Sequence, residues 1–267
     1  MSDAEHADKG EHRDRAGRSA RAASFAGTAE QYERARPGYP QDLLEGVFTE
    51  IGIERPRILD LGAGTGKLTR QLVNYGPVIA VEPLDQMRAQ LERVVPGAVS
   101  LAGNAETIPV PDGSIDVVTV GQAYHWFDQE HANPEIWRVL AADGHVVALW
   151  NRDDETVPWI AALEEIMSRD DGPVRSSSAP GWWLEYFQPG QWFTMPEVFT
   201  GSMNVVTTKQ QLLDRMESHS YLSVRTPEDR RPVLDEVAAL VADFPDPFDV
   251  PYRTEAYWCR KLPLSVS

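Results

Sequence analysis

Cysteine is almost missing from this chain. Cys259 is the only one, so no disulfide can close within the chain, and a reducing compartment suits it. Long apolar runs are missing too: no stretch of about 18 apolar residues occurs, and the first residues are polar and charged with no apolar leader core. No membrane span is therefore expected, and the expected location is the cytoplasm. Positive charge is short, with 25 Lys and Arg against 41 Asp and Glu and a net charge of −16. Such a chain repels phosphate backbones, and no basic patch stands out, so a nucleic-acid partner is not expected and a small-molecule substrate is the default. The six histidines do not fall at ligand spacing with the cysteine or with paired acids, so no metal site is expected. No internal repeat is visible. Low complexity is confined to the start, where charged residues crowd out apolar ones and a disordered tail is expected over 1–24.

What is present centres on Arg57–Leu68, RILDLGAGTGKL. Ile58, Leu59 and Leu61 read as a short buried parallel strand, ending in Gly62-Ala63-Gly64-Thr65-Gly66. The spacing of Lys67–Tyr75 predicts a helix. A strand that passes through glycines into a helix brings backbone up to a ligand with no Cβ in the way. A phosphate-cradling loop of the P-loop kind needs Gly at 61 and Ser or Thr at 68, and both positions are Leu. A dinucleotide fingerprint needs its third glycine at 67, which is Lys. A second apolar strand, Pro77–Val81, ends at Glu82-Pro83, 20 residues after Gly62, where an α/β nucleoside site places an acid for ribose hydroxyls.

Asp60–Gly66 resembles motif I of the class I S-adenosylmethionine (SAM)-dependent methyltransferases. The resemblance implies SAM as cofactor, with Gly62, Ala63, Gly64, Thr65 and Gly66 wrapping its amino-acid end. Asp60 then meets the ligand's positive α-ammonium; the plain alternative is an Asp that caps the turn. Glu82 and Pro83 fall at the ribose. Met87 falls at the adenine face, where it reads equally as core. Asn104, with Ala105 and Glu106, falls at the adenine edge; many members have Asp at that position, and Asn keeps an acceptor oxygen but no charge.

Two further stretches resemble a narrower group, the methyltransferase type 11 enzymes related to trans-aconitate methyltransferase. Phe25–Pro40, with Tyr32, Arg36 and Tyr39, resembles its entry segment, which folds over the cofactor. Gly121–Asp128, with Gln122-Ala123-Tyr124-His125-Trp126, resembles a loop that sits beside the sulfonium. His125 is the candidate general base, against a structural role between aromatic rings. Tyr124, Trp126 and Phe127 are expected in the cofactor and substrate walls.

Beyond residue 151 the sequence becomes irregular and rich in aromatics, with Trp182, Trp183, Tyr186, Phe187, Trp192 and Phe193 set among Gly and Pro. A lid supplying an apolar pocket is expected, with Trp183, Tyr186 and Ser220 facing substrate. The expected organisation is a SAM-binding core with its cover segment over 25–151, a mostly helical cap over 152–225, and a C-terminal helix and last strand over 226–267. The fold implied is a Rossmann-like α/β class I methyltransferase: a mostly parallel seven-stranded sheet with helices on both faces. The activity implied is methyl transfer to an oxygen, nitrogen or carbon nucleophile of a small, planar or acidic molecule, by a monomer or homodimer. The alternatives are a SAM-binding protein without methyl transfer and an NAD(P)-dependent reductase.

Overall fold

The computed structural model describes residues 37–169, 184–219, 222 and 225–263. The tail, Tyr32, Arg36, Trp183 and Ser220 lie outside the described residues.

Helix α1 (Gln41–Ile51) comes first and buries Leu43, Leu44, Val47, Phe48 and Ile51 on one face. Gly52, at φ 68°, ends it by turning its N–H back to Phe48 O, a left-handed cap that glycine adopts at little cost. The motif strand β1 (Ile58–Leu61) is buried along its whole length, as a strand covered on both faces must be. It pairs in parallel with β2 (Val78–Val81) on one side and β4 (Ile115–Gly121) on the other. Between β1 and β2 the regular helix is only α2 (Thr69–Leu72), shorter than the expected 67–75. At its end Asn74 N donates to Gln71 O and Tyr75 N to Leu72 O, i to i−3 bonds that tighten the chain out of the α-helical pattern.

Helix α3 (Asp85–Val94) and β3 (Val99–Leu101) follow, then β4. Helix α4 (Gln129–Val139) runs straight into β5 (Leu140–Asp153), and Asp143-Gly144 sits inside the strand span. Ile115 faces Leu140 while Val117 faces His145, so two steps along β4 match five along β5 and the extra residues bulge out.

The sheet order is β3-β2-β1-β4-β5-β7-β6. β7 (Phe248–Arg260) runs antiparallel to both β5 and β6 (Glu197–Thr207). The sheet is thus seven-stranded and parallel except for β7, the expected architecture. Strand order reverses at β1 and β4, and in such sheets ligands bind outside the carboxyl ends there.

The expected cap over 152–225 is not one helical unit. β6 lies inside that range and forms the edge of the sheet. Helices α5 (Pro158–Ser168), α7 (Lys209–Glu217) and α8 (Pro227–Leu240) pack Ile160, Leu163, Leu212, Met216 and Val237 around Val250 and Tyr252 of β7. The short helix α6 (Leu184–Phe187) lies elsewhere. Phe187 and Phe193 are wholly buried in the core cluster of β4 and β5, with Tyr124, Trp150 and Tyr257. These rings are sheet core, not lid.

Candidate active site

The elbow after β1 is held from within. Gly62 and Ala63 both donate N–H to Val81 O at 2.9 and 3.1 Å, and Gly66 donates to Ala63 O at 3.0 Å. Gly64 N donates to Glu82 Oε2 at 2.9 Å. A phosphate cradle turns its N–H groups outward to the ligand; here those four are turned inward. Gly62, Gly64 and Gly66 have φ of 70°, 56° and 87°, a region open to glycine and strained for other residues. A Cβ on Gly62 would lie 2.9 Å from the Ala123 Cβ, so the elbow and the loop after β4 are in contact through that hydrogen.

Two carboxyl groups flank the elbow where a phosphate site would have cations. Asp60 is buried and accepts from the Thr69 hydroxyl at 2.6 Å and the Thr119 hydroxyl at 3.2 Å. Burial pushes its carboxyl up to about 6, with the two hydroxyls pulling the other way. Glu82 is 6% exposed and is likewise raised by burial, against the pull of the Leu84 and Gly64 N–H groups. Each of its oxygens accepts one of those N–H groups, at 2.9 Å, which leaves acceptor capacity on both for ligand hydroxyls.

The elbow opens on a cavity of about 280 Å³. Asp60, Gly62, Ala63, Gly64 and Thr65 line it, together with Tyr39 and Gln122. Tyr39 is fixed by Gln71, whose side chain accepts from its N–H at 2.9 Å and donates to its carbonyl at 2.7 Å. Asn151 ties the pieces together: its side chain donates to Gly38 O and its carbonyl accepts from the Gln122 amide, both at 2.8 Å.

The rest of the wall is mainly charged: Lys67, Arg152, Asp153, Glu155, Glu164 and Arg215 line it, with the Tyr252 ring beside them. Arg215 Nη1 sits 2.7 and 2.9 Å from the two Asp153 oxygens, in a nearly dry pair with side chains 8% and 6% exposed. None of the four charged residues Asp153, Glu155, Glu164 and Arg215 was picked out by the sequence reading.

Other expected site residues stand apart from this cavity. Tyr124 is wholly buried with its hydroxyl donating to Asn133 Oδ1 at 2.8 Å, a core position that no substrate reaches. Tyr186 stacks toward Trp150 with ring centroids 6.3 Å apart, and its carbonyl accepts from Asn133. His125 and Trp126 lie ring against ring at 4.8 Å in the short 3-10 turn after β4, and neither lines the cavity. His125 Nδ1 faces the Trp150 indole N–H at 3.4 Å. Met87 is buried in α3, and Ala105 is buried next to exposed Asn104. Glu106 Oε1 accepts from Asp128 N at 3.0 Å. Pro83 is exposed at the end of β2, and Ala123 packs on the elbow. Among the described residues no cluster of His, Cys, Asp and Glu has the form of a metal site, and no helix is long and apolar enough to cross a membrane.

A family model described as a methyltransferase domain (Methyltransf_11) matches residues 59–148. The chain is 38% identical over 229 residues to an uncharacterised methyltransferase of Mycobacterium tuberculosis, covering 83% of this chain and 87% of that one. It is 34% identical over 251 residues to an uncharacterised methyltransferase-like protein of Schizosaccharomyces pombe, covering 90% and 96%. Its fold matches the solved structure of a proposed type II methyltransferase from Anaeromyxobacter dehalogenans, with a TM-score of 0.60 and 25% identity over 85% of this chain and 96% of that one. With an inward-turned glycine elbow between two buried carboxyls on a seven-stranded sheet of this order, the chain belongs to the SAM-dependent methyltransferases.

Proposed function

We propose that the cavity takes SAM against Gly62–Gly66 and that the protein transfers its methyl group to an oxygen, nitrogen or carbon nucleophile of a small molecule. The observation that carries this reading is the elbow itself. Its N–H groups are spent internally while Asp60 and Glu82 stand beside it, an arrangement that repels a pyrophosphate and suits a ligand with an ammonium and sugar hydroxyls. The same feature disfavours a nicotinamide-dependent reductase.

Bound SAM supplies a methyl group on a positive sulfonium, which is a good leaving group. Asp60 meets the α-ammonium, and Glu82 accepts from the ribose hydroxyls. The adenosine end leaves the cavity past Glu82 toward Pro83, Met87 and the Asn104–Glu106 turn, with Gln122-Ala123 beside the sulfur. Tyr39 and the polar wall hold the acceptor. The chain contributes alignment and exclusion of water, which is most of what such a displacement needs. His125 does not enter this scheme: its Nδ1 faces the Trp150 indole N–H and its ring lies against Trp126. The polar wall favours a polar acceptor over a planar apolar one. The acceptor is a small molecule met in the cytoplasm.

Calorimetric titration with S-adenosylhomocysteine (SAH) and with NADH tests the reading. SAH binds; tight NADH binding with no SAH binding would reverse the assignment. Two dependences should accompany SAH binding. Its affinity declines as pH falls below about 6, because protonation of Asp60 removes the partner of the ligand ammonium. Glu82→Gln weakens it by about 10- to 100-fold, the loss of hydrogen bonds to a charged acceptor. An affinity flat with pH, or unchanged in Glu82→Gln, would take these residues out of the cofactor site.

A further inference from the structure

Lys67 lines the cavity at the elbow; beyond it, the wall carries more acid than its arginines neutralise. Arg215 is committed to Asp153 through Nη1, and its guanidinium lies 5.3 Å from the Tyr252 ring centre. Arg152 faces Glu255, with Nε 3.6 Å from the carboxylate. Glu155 and Glu164 line the same cavity; among the described residues neither makes a close ion pair, and Glu164 lies against Asp153 and within reach of the Arg215 charge. Glu164 reaches it from α5, Asp153 from the end of β5, Glu155 from the turn that follows, Arg215 from α7 and Tyr252 from β7, with His219 beside them. A second feature points to a ligand. Arg215 Nε and Nη2 are buried and have no hydrogen-bond partner, although the residue is only 6% exposed. Buried donors of a charged group left unmatched are costly, and an oxygen acceptor on a bound molecule relieves the cost.

We propose that the methyl acceptor is a small amine that also carries an oxygen acceptor, as an amino acid or amino alcohol does, and that Glu164 is the catalytic residue that takes its proton. This rests on the methyltransferase reading of the same cavity. The ammonium group neutralises the excess acid at Glu164 and Glu155, and the oxygen meets Arg215. An ammonium has no lone pair, so a proton must leave before the nitrogen can attack. Glu164 carboxylate takes that proton. The free amine then forms a bond to the methyl carbon as the carbon–sulfur bond breaks. Sulfur keeps the electron pair and departs as SAH, and Glu164 returns its proton to solvent. The surroundings tune it for this: burial, then the neighbouring Asp153 and Glu155 charges, push Glu164 up to about 7, and Arg215 pulls the other way. A general base is most useful when its pKa lies near the working pH.

The test supplies SAM with a labelled methyl group and a panel of amino acids and amino alcohols, alongside hydroxy acids and phenols that match them without the amine. Label is expected on nitrogen, with kcat rising through neutral pH. Glu164→Gln is expected to lower kcat by about 100-fold or more and to flatten that pH profile, while SAH affinity stays at the wild-type value. Glu164→Asp is expected to keep the profile. Label on the acids or phenols alone, no labelled amine in a protein that binds SAH, or a Glu164→Gln enzyme with wild-type kcat would each overturn the inference. A wild-type protein that does not bind SAH would instead remove the cofactor reading beneath it.

Discussion

A Gly64→Val protein folds and fails to bind cofactor. Gly64 sits at φ 56°, so any other residue there is strained by about 1–2 kcal/mol. A Cβ at Gly64 meets no atom within 4 Å, so no internal clash adds to that strain. In a domain of this size the cost corresponds to a drop in melting temperature of roughly 2–8 °C. The open space in front of Gly64 belongs to the cavity, and in the proposed binding mode the amino-acid end of SAM occupies it. A valine side chain fills it. SAH affinity should fall by more than about 100-fold, since a side chain that fills the site excludes the ligand from its contacts with the elbow. Gly66→Val makes the contrast. There a Cβ would come within 3.1 Å of Leu91 Cγ and 3.2 Å of Val95 Cγ2, so that variant loses stability through α3. Thermal melts with and without SAH separate the two. A Gly64→Val protein whose melting temperature still rises with SAH as the wild type's does would place the cofactor elsewhere.

The elbow half of the candidate site was legible because its geometry is local. A strand, three glycines and an acid at a fixed distance are all set by backbone geometry within a stretch of sequence, and Asp60, Gly64 and Glu82 stand where that geometry puts them. The substrate half depends on which distant elements meet, and there the reading misplaced its weight. Tyr124, Tyr186, Phe187 and Phe193 look like pocket walls in sequence because they are large and clustered. They are core because a sheet of seven strands needs that much apolar cover beside β4 and β5. A signal for the true wall was present. In α5 the buried stripe runs Ile160, Leu163, Met167, and the position that completes the i, i+3, i+4, i+7 pattern is Glu164. In α7 the stripe of Leu212 and Met216 is interrupted by Arg215, with His219 one turn further on. A charged residue in an apolar stripe is expensive unless it is paired or faces a cavity, and these two stripes meet across Asp153. The helical cap expected over 152–225 fails because β6, inside that range, pairs along its whole length with β7 and is the edge of the sheet rather than part of a separate helical unit.

Asp153→Ala should be the most destabilising single change in the wall. With Asp153 and Arg215 side chains 6% and 8% exposed, water cannot replace the lost partner. Arg215 would keep a buried charge with three unmatched donor nitrogens instead of two. Removing one member of a buried pair typically costs about 3–5 kcal/mol, because the survivor's desolvation is no longer offset. Arg215→Met strands the Asp153 carboxylate in the same way, next to Glu164, and should cost a similar amount. Replacing both, Asp153→Leu with Arg215→Met, removes both charges and leaves apolar groups among Ile160, Leu212 and Met216. Its stability should therefore lie well above that of either single variant, with a coupling of about 2–4 kcal/mol between the two sites. Urea denaturation of the four proteins measures this directly. Two singles within about 1 kcal/mol of wild type would show that the pair is solvated in solution, as exposed pairs are. The double variant also separates structure from chemistry. Folded and able to bind SAH through the elbow, it lacks the Asp153–Arg215 pair, so its failure to methylate an acceptor that the wild type methylates would assign that pair to the substrate rather than to the fold.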